Sequence, residues 1–224
     1  MRISRAVAVF TVGLLITAAG CSRTVDGMAQ PDPRKPGVVV SDDGHGIVAG
    51  FDDAPINVEI FTEPQCNHCA DLQADFGDDI ARYLNIGQLA VTYRPLTFLD
   101  DVDDGYSARV SNALFLAVDP ETSATAFQAF VEELYAQQRP LTAGPSNDEI
   151  ADMARESGIP AAVVDRIAGG EPALDVVDMG DSNFGYLFEL NPLDPGTSTV
   201  YHPSADEILD IYDNNWLSKL MASA

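Results

Sequence analysis

An α/β domain interrupted by a helical insertion is the architecture this sequence predicts, and three observations predict it. Residues 56–61 (INVEIF) place Ile56, Val58 and Ile60 on one face, the alternation of a half-buried strand. A Cys-x-x-Cys follows at once and opens a run of apolar residues at helical spacing, after which residues 89–93 are again strand-like. Over about 102–176 the apolar residues recur at helical spacing, and a strand-like run returns at residues 197–201.

Taken in chain order, the first element is not part of that domain. Arg2 and Arg5 precede Ala6 to Ala19, a run of 14 uncharged residues. This is too short to span a bilayer and fits the apolar segment of a secretory signal, so residues 1–20 are expected to be an export leader. The run closes in Ala18-Ala19-Gly20-Cys21, which resembles a bacterial lipoprotein cleavage site, although Leu is more usual where Ala18 stands. That resemblance implies a lipidated Cys21; ordinary cleavage near Ala19 and a retained anchor are the alternatives. The cysteine count is consistent with lipidation. Three Cys is an odd number for an exported chain, and setting Cys21 aside leaves Cys66 and Cys69 as a pair.

Residues 21–36 are polar and proline-containing, with no helical or strand period, and are expected to form a tether. At about 3 Å per residue its reach is on the order of 45 Å. The domain proper is expected over 37–224. The whole chain carries 35 acidic against 12 basic residues, a net charge of −23. Such a surface repels nucleic acid and anionic lipid head groups, which excludes both as partners and leaves a solvated acidic surface as the simplest role.

Within the domain, Val38 to Val40 is a short β-branched strand. Cys69, Leu72, Phe76, Ile80, Tyr83 and Leu84 then mark one face of a helix that begins at Cys66. The insertion, at about 102–176, holds helical patterns in series. Ala108, Ala113, Leu114 and Ala117 mark one that ends near Asp119-Pro120. Phe127, Phe130, Val131, Leu134 and Tyr135 mark a second, its aromatic stripe assigned to core. Ser146 and Glu149 form a capping-box pattern ahead of Ile150, Met153 and Ala154, and Gly169-Gly170 closes the set. Strand returns at residues 197–201, an apolar stretch follows at 208–211, and a short helix is expected over 215–221.

The chemistry is concentrated in Cys66-Asn67-His68-Cys69. A structural zinc site needs four ligands, and there is no second Cys pair, while His45 and His202 stand alone. A purely structural disulfide closing so small a loop removes little unfolded-state entropy. Redox chemistry is the remaining motivated reading. At a helix start Cys66 meets the positive end of the macrodipole and unpaired N–H groups, which favour its thiolate. His68 is placed to add a charge or a hydrogen bond. Stabilising the thiolate stabilises the reduced form and makes the disulfide more oxidising. Cys69, on the apolar face, is expected to be the buried resolving thiol.

The stretch GIVAGFDDAPINVEIFTEPQCNHC resembles the DsbA-like thioredoxin-fold proteins of bacterial cell envelopes. Ala54-Pro55, the acidic Glu63 three residues before the first Cys, Cys66 and Cys69 take the family's places, and His68 stands where its Cys-Pro-His-Cys version has His. PGTSTVYH looks like the family's Gly-Thr-Pro-Thr-Val loop, and Asn215-Trp216-Leu217 resembles a common family ending. The similarity runs over roughly 46–222. It implies a thioredoxin-like fold with an inserted helical subdomain, catalysis by Cys66, Cys69 and His68, a Cys66–Cys69 disulfide in the oxidised state, and substrate binding at Thr197 and Ser198. It also implies no small-molecule cofactor. The partners implied are cysteine-containing exported proteins and a membrane or envelope redox partner, at the outer face of the bacterial cytoplasmic membrane.

Three departures from the family pattern carry expectations of their own. Asn67 replaces the usual Pro between the cysteines. Ile60 stands where many relatives hold a buried acid, and the neighbouring Glu59 is expected on the opposite face of the strand. Ser198 stands in the cis-proline position. A cis bond costs about 0.5–1 kcal/mol before Pro and roughly 2.5–4 elsewhere, so a trans bond is expected here, with the Ser198 hydroxyl near the Cys66 sulfur and low turnover. A non-catalytic protein holding a soft ion such as Cu(I) between Cys66 and Cys69 is the alternative function. A solute-binding lipoprotein with an incidental disulfide is the third.

Overall fold

The computed structural model describes residues 35–102 and 104–223; the expected leader, Cys21 and nearly all of the tether lie outside them. β1 (Gly37–Val40), β2 (Ile47–Gly50), β3 (Ile56–Thr62), α1 (Asn67–Asn85) and β4 (Leu89–Pro95) form the first half. α2 (Tyr106–Leu116), α3 (Ala124–Ala136), α4 (Asn147–Glu156), α5 (Ala161–Ala168) and α6 (Val176–Leu190) follow. β5 (Thr199–His202), β6 (Glu207–Ile208) and α7 (Trp216–Ala222) complete the domain. The sheet order is β1-β2-β4-β3-β5-β6. Only β3 and β4 run parallel, joined through α1; each other neighbouring pair is antiparallel. This is a thioredoxin-like α/β fold with a helical insertion.

β3 shows how the sheet is sandwiched. Ile56, Val58 and Ile60 belong to the main core with Leu72, Phe76 and Ile80 of α1 and Phe127, Phe130 and Val131 of α3. Phe61 points the other way and packs with Leu96, Leu187 of α6 and Tyr201. That alternation puts Glu59 on the α6 side, as the strand period predicts, where it pairs with Arg94 at 2.8 Å. The Phe76 and Trp216 rings meet edge to face at 5.4 Å, so α7 covers α1 from outside. The Ser146–Glu149 capping box forms as expected.

Two elements lie outside the sequence expectation. β2 is a four-residue strand ending in glycine, too short for a period to register. α6 lies between the expected close of the insertion and β5, and it carries Gly180, Gly185, Asp and Asn within it, residues of low helix propensity. Packing overrides propensity here. A Cβ on Gly180 would come 2.4 Å from Thr97 Oγ1, so only glycine lets the helix approach the segment after β4. Buried Asn183 then ties α6 down by donating to the carbonyls of His45 and Pro95, each at 2.8 Å.

Among the described residues no helix is long and apolar enough to cross a membrane.

Candidate active site

Cys66 is the N-cap of α1, in extended conformation, and no acidic side chain occupies the helix's first turn. The positive end of the helix therefore acts on the sulfur without a counter-charge from its own first turn. Cys66 is half-buried and Cys69, one turn in, is buried; both stand as thiols in this structure. A hydrogen bond from the Cys69 thiol is the largest influence on Cys66. Together with a bond from the Thr197 side chain and the backbone N–H groups of Cys69 and His68, it outweighs partial burial and holds Cys66 at about 5. When protonated, the Cys66 thiol donates to the Thr197 carbonyl at 3.2 Å. Cys69 is the reverse case. Burial, the hydrogen bond it gives to Cys66 and the charge on Cys66 push its thiol well above the ordinary value.

The predicted site residues meet around this pair, with differences in how they act. His68 is exposed, its imidazole packs edge to face against Tyr212 at 6.1 Å, and it is its backbone N–H that bonds Cys66. Thr197 lies against the outer sulfur through its carbonyl. The expected trans bond is corrected: the Thr197–Ser198 bond is cis, and the Ser198 hydroxyl donates to the His68 carbonyl at 3.2 Å. The segment is fixed from both sides. Thr197 meets Cys66, and Thr199 pairs with Phe61 at the start of β5.

The buried acid missing at Ile60 has a counterpart at Glu63, three residues before the pair. Glu63 is fully buried. One carboxyl oxygen accepts from the Gln65 N–H at 2.6 Å and the other from the Ser107 hydroxyl. Burial nevertheless wins over these donors and raises Glu63 to about 7. Gln65 extends the cluster by donating to Ser107 and Asp100, and Asp100 accepts the first backbone N–H groups of α2. The sequence signal for this role was an acid at the end of an apolar strand, just before the cysteines. Nothing in the spacing could identify Ser107, 44 residues on, as its partner.

Below the pair, the Cys69 sulfur accepts from the Glu63 backbone N–H at 3.5 Å and from the Thr62 hydroxyl. Thr62 in turn is hydrogen-bonded to Tyr135 of α3. Gln138, just past α3, donates to the carbonyls of Pro64 at 2.8 Å and Cys66 at 3.0 Å. The helical spacing of the sequence marks Tyr135 only as part of the apolar stripe of α3. Among the described residues no cluster of His, Cys, Asp and Glu is arranged to hold a metal ion.

The comparisons with known proteins agree with this geometry. The chain is 26% identical over 181 residues to the serine/threonine-protein kinase PknE of Mycobacterium tuberculosis, covering 79% of this chain. It spans only 31% of that kinase's length. Among solved structures, the MdbA protein of Corynebacterium matruchotii, a thiol-disulfide oxidoreductase, superposes with a TM-score of 0.69 at 21% identity, over 83% of this chain and 92% of its own. MdbA of Corynebacterium diphtheriae gives 0.67 at 21% identity, over 87% and 99%. Reduced DsbA of Mycobacterium tuberculosis gives 0.58 at 19% identity, over 80% and 99%. The thioredoxin family model matches residues 42–170, more than half of the sequence. With Cys66 capping α1 and Cys69 beneath it, the chain belongs to the thioredoxin family, in the DsbA-like form of the fold.

Proposed function

We propose that this protein is a thiol–disulfide oxidoreductase acting on cysteines of other exported proteins, held at the outer face of the bacterial cytoplasmic membrane by a lipid on Cys21. The observation that carries the reading is the contrast within the pair: a half-exposed Cys66 held at about 5 over a buried Cys69 pushed far up. In the oxidising direction, a substrate thiolate attacks the Cys66 sulfur of the disulfide and expels Cys69. The second substrate thiolate then attacks the substrate sulfur of the mixed disulfide. Cys66 leaves with the electron pair, readily, because a low-pKa thiol is a good leaving group. Two substrate thiols become a disulfide and the enzyme becomes a dithiol. The Thr197 carbonyl lies where it can hold substrate backbone beside Cys66, and the redox partner that restores the disulfide is an envelope or membrane protein.

The test is refolding of a reduced, cysteine-containing secreted protein with the oxidised chain. Wild type is expected to accelerate disulfide formation, Cys66→Ser to do nothing, and Cys69→Ser, with Cys66 supplied as a mixed disulfide, to exchange it without closing its own. Failure of the wild type to accelerate, with tight Cu(I) binding by the reduced pair, would instead favour the metal-holding role.

A further inference from the structure

Cys69 poses a problem that the redox chemistry must solve. Its sulfur is buried, and its thiolate is disfavoured by burial and by the neighbouring Cys66. Yet thiol–disulfide exchange passes through that thiolate in either direction, as leaving group when Cys66 is attacked and as nucleophile when a mixed disulfide is resolved.

Two donors reach the sulfur. One is the Glu63 backbone N–H, which no side-chain change removes. The other is the Thr62 hydroxyl, which has one proton to give. If Thr62 donates to sulfur, its hydrogen bond to Tyr135 must be one it accepts, so the phenol has to be the donor. Tyr135 is suited to that part: it is buried, and burial with the nearby Cys69 and Glu63 charges keeps it protonated. A Phe would fill the same space without bringing a buried polar group into the core. The β3 period puts Thr62 on the side of Ile60 and α1, facing the insertion. The titratable groups around the sulfur are Cys66 at the start of α1, Glu63 after β3 and Tyr135 on α3.

We infer that Thr62 and Tyr135 form a hydroxyl chain that stabilises the Cys69 thiolate, with Thr62 touching the reacting sulfur and Tyr135 acting through it as a positioning residue. This rests on the oxidoreductase reading above. In resolution, Cys69 supplies the electron pair for the new bond to Cys66, and the bond from Cys66 to the substrate sulfur breaks. The substrate sulfur leaves with the electron pair of that broken bond, and the Cys69 proton ends in solvent or on the departing thiol.

The reduced full chain is mixed with an aromatic disulfide, dithiobis-nitrobenzoate, and released thionitrobenzoate is followed. Cys66 attack releases the first equivalent at a rate proportional to reagent. Cys69 closure releases the second at a rate independent of it. Thr62→Val and Tyr135→Phe are each expected to slow the second phase about fivefold, the worth of one lost net hydrogen bond, with the first phase unchanged. Thr62→Ser, which keeps the hydroxyl, is expected to close at nearly the wild-type rate and separates hydroxyl loss from misfolding. Closure at the wild-type rate in both Thr62→Val and Tyr135→Phe would overturn the inference and leave the oxidoreductase reading intact. A wild-type chain that releases only one equivalent would overturn the oxidoreductase reading itself.

Discussion

The Thr197 carbonyl oxygen lies 3.2 Å from Cys66 Sγ, so the segment before β5 faces the outer sulfur of the pair. That carbonyl favours the protonated thiol, and it is outweighed by the donors at the start of α1. The balance is a thiol that ionises under mildly acidic conditions beside one that does not.

Alkylation separates the two. With iodoacetamide, the reactivity of Cys66 is expected to rise through about pH 5, while Cys69 stays unlabelled. Peptide mapping after short exposure reads the site. Labelling of Cys69 first would reverse the assigned roles.

Stability of the reduced protein carries the opposed signs of two groups. Glu63 sits at about 7 against an ordinary 4.5, so its contribution is full below 4.5 and is lost as pH rises through 7. Cys66 sits at about 5 against an ordinary 9.0, so its contribution is full above 9.0 and is lost as pH falls through 5. The two slopes offset one another between pH 5 and 7, and a rise follows from 7 to 9. In Glu63→Gln the rise is expected to begin near pH 5. Urea unfolding of the reduced chain at stepped pH checks this; an unchanged profile in the variant would mean that Glu63 does not titrate in that window.

Arg94 is buried between Glu59 at 2.8 Å and Asp43 at 2.6 Å, with the Tyr186 ring at 5.0 Å. Arg94→Ala strips two carboxylates of their cation, Glu59 in a largely buried position. The expected loss is about 3 kcal/mol of unfolding free energy, with Cys66 labelling unaffected in the folded fraction. A loss under about 1 kcal/mol would mean that solvent already screens the cluster.

Cys21→Ala is expected to move the protein from the membrane fraction into the soluble exported fraction. Persistent membrane association would point to an uncleaved anchor in place of lipid.

Much of the catalytic half was legible in the sequence because its signals are local. The period-2 run of β3, the Cys pair at the head of an apolar helical face and the Ser146–Glu149 box each lie within a few residues, and each is present. What was not legible depends on distant contacts. α6 contradicts its own propensities because Gly180 lies against Thr97. Glu63 needs Ser107, and Thr62 needs Tyr135, pairings that no spacing rule foretells. The expected trans bond at Ser198 followed from the isolated dipeptide's preference, which takes no account of the neighbours on either side of the loop.

Gln138 has a consequence for how this domain can be taken apart. Its amide belongs to the insertion, yet the carbonyls it satisfies belong to Pro64 and Cys66 in the redox loop. Splicing β4 directly to β5 would therefore not yield a minimal, working half-size enzyme. It would strand the Pro64 carbonyl, leave that of Cys66 with only the N–H groups of its own helix turn, and lay bare the face of α1 that holds Cys69, so the two modules have to be inherited, transplanted or redesigned as one.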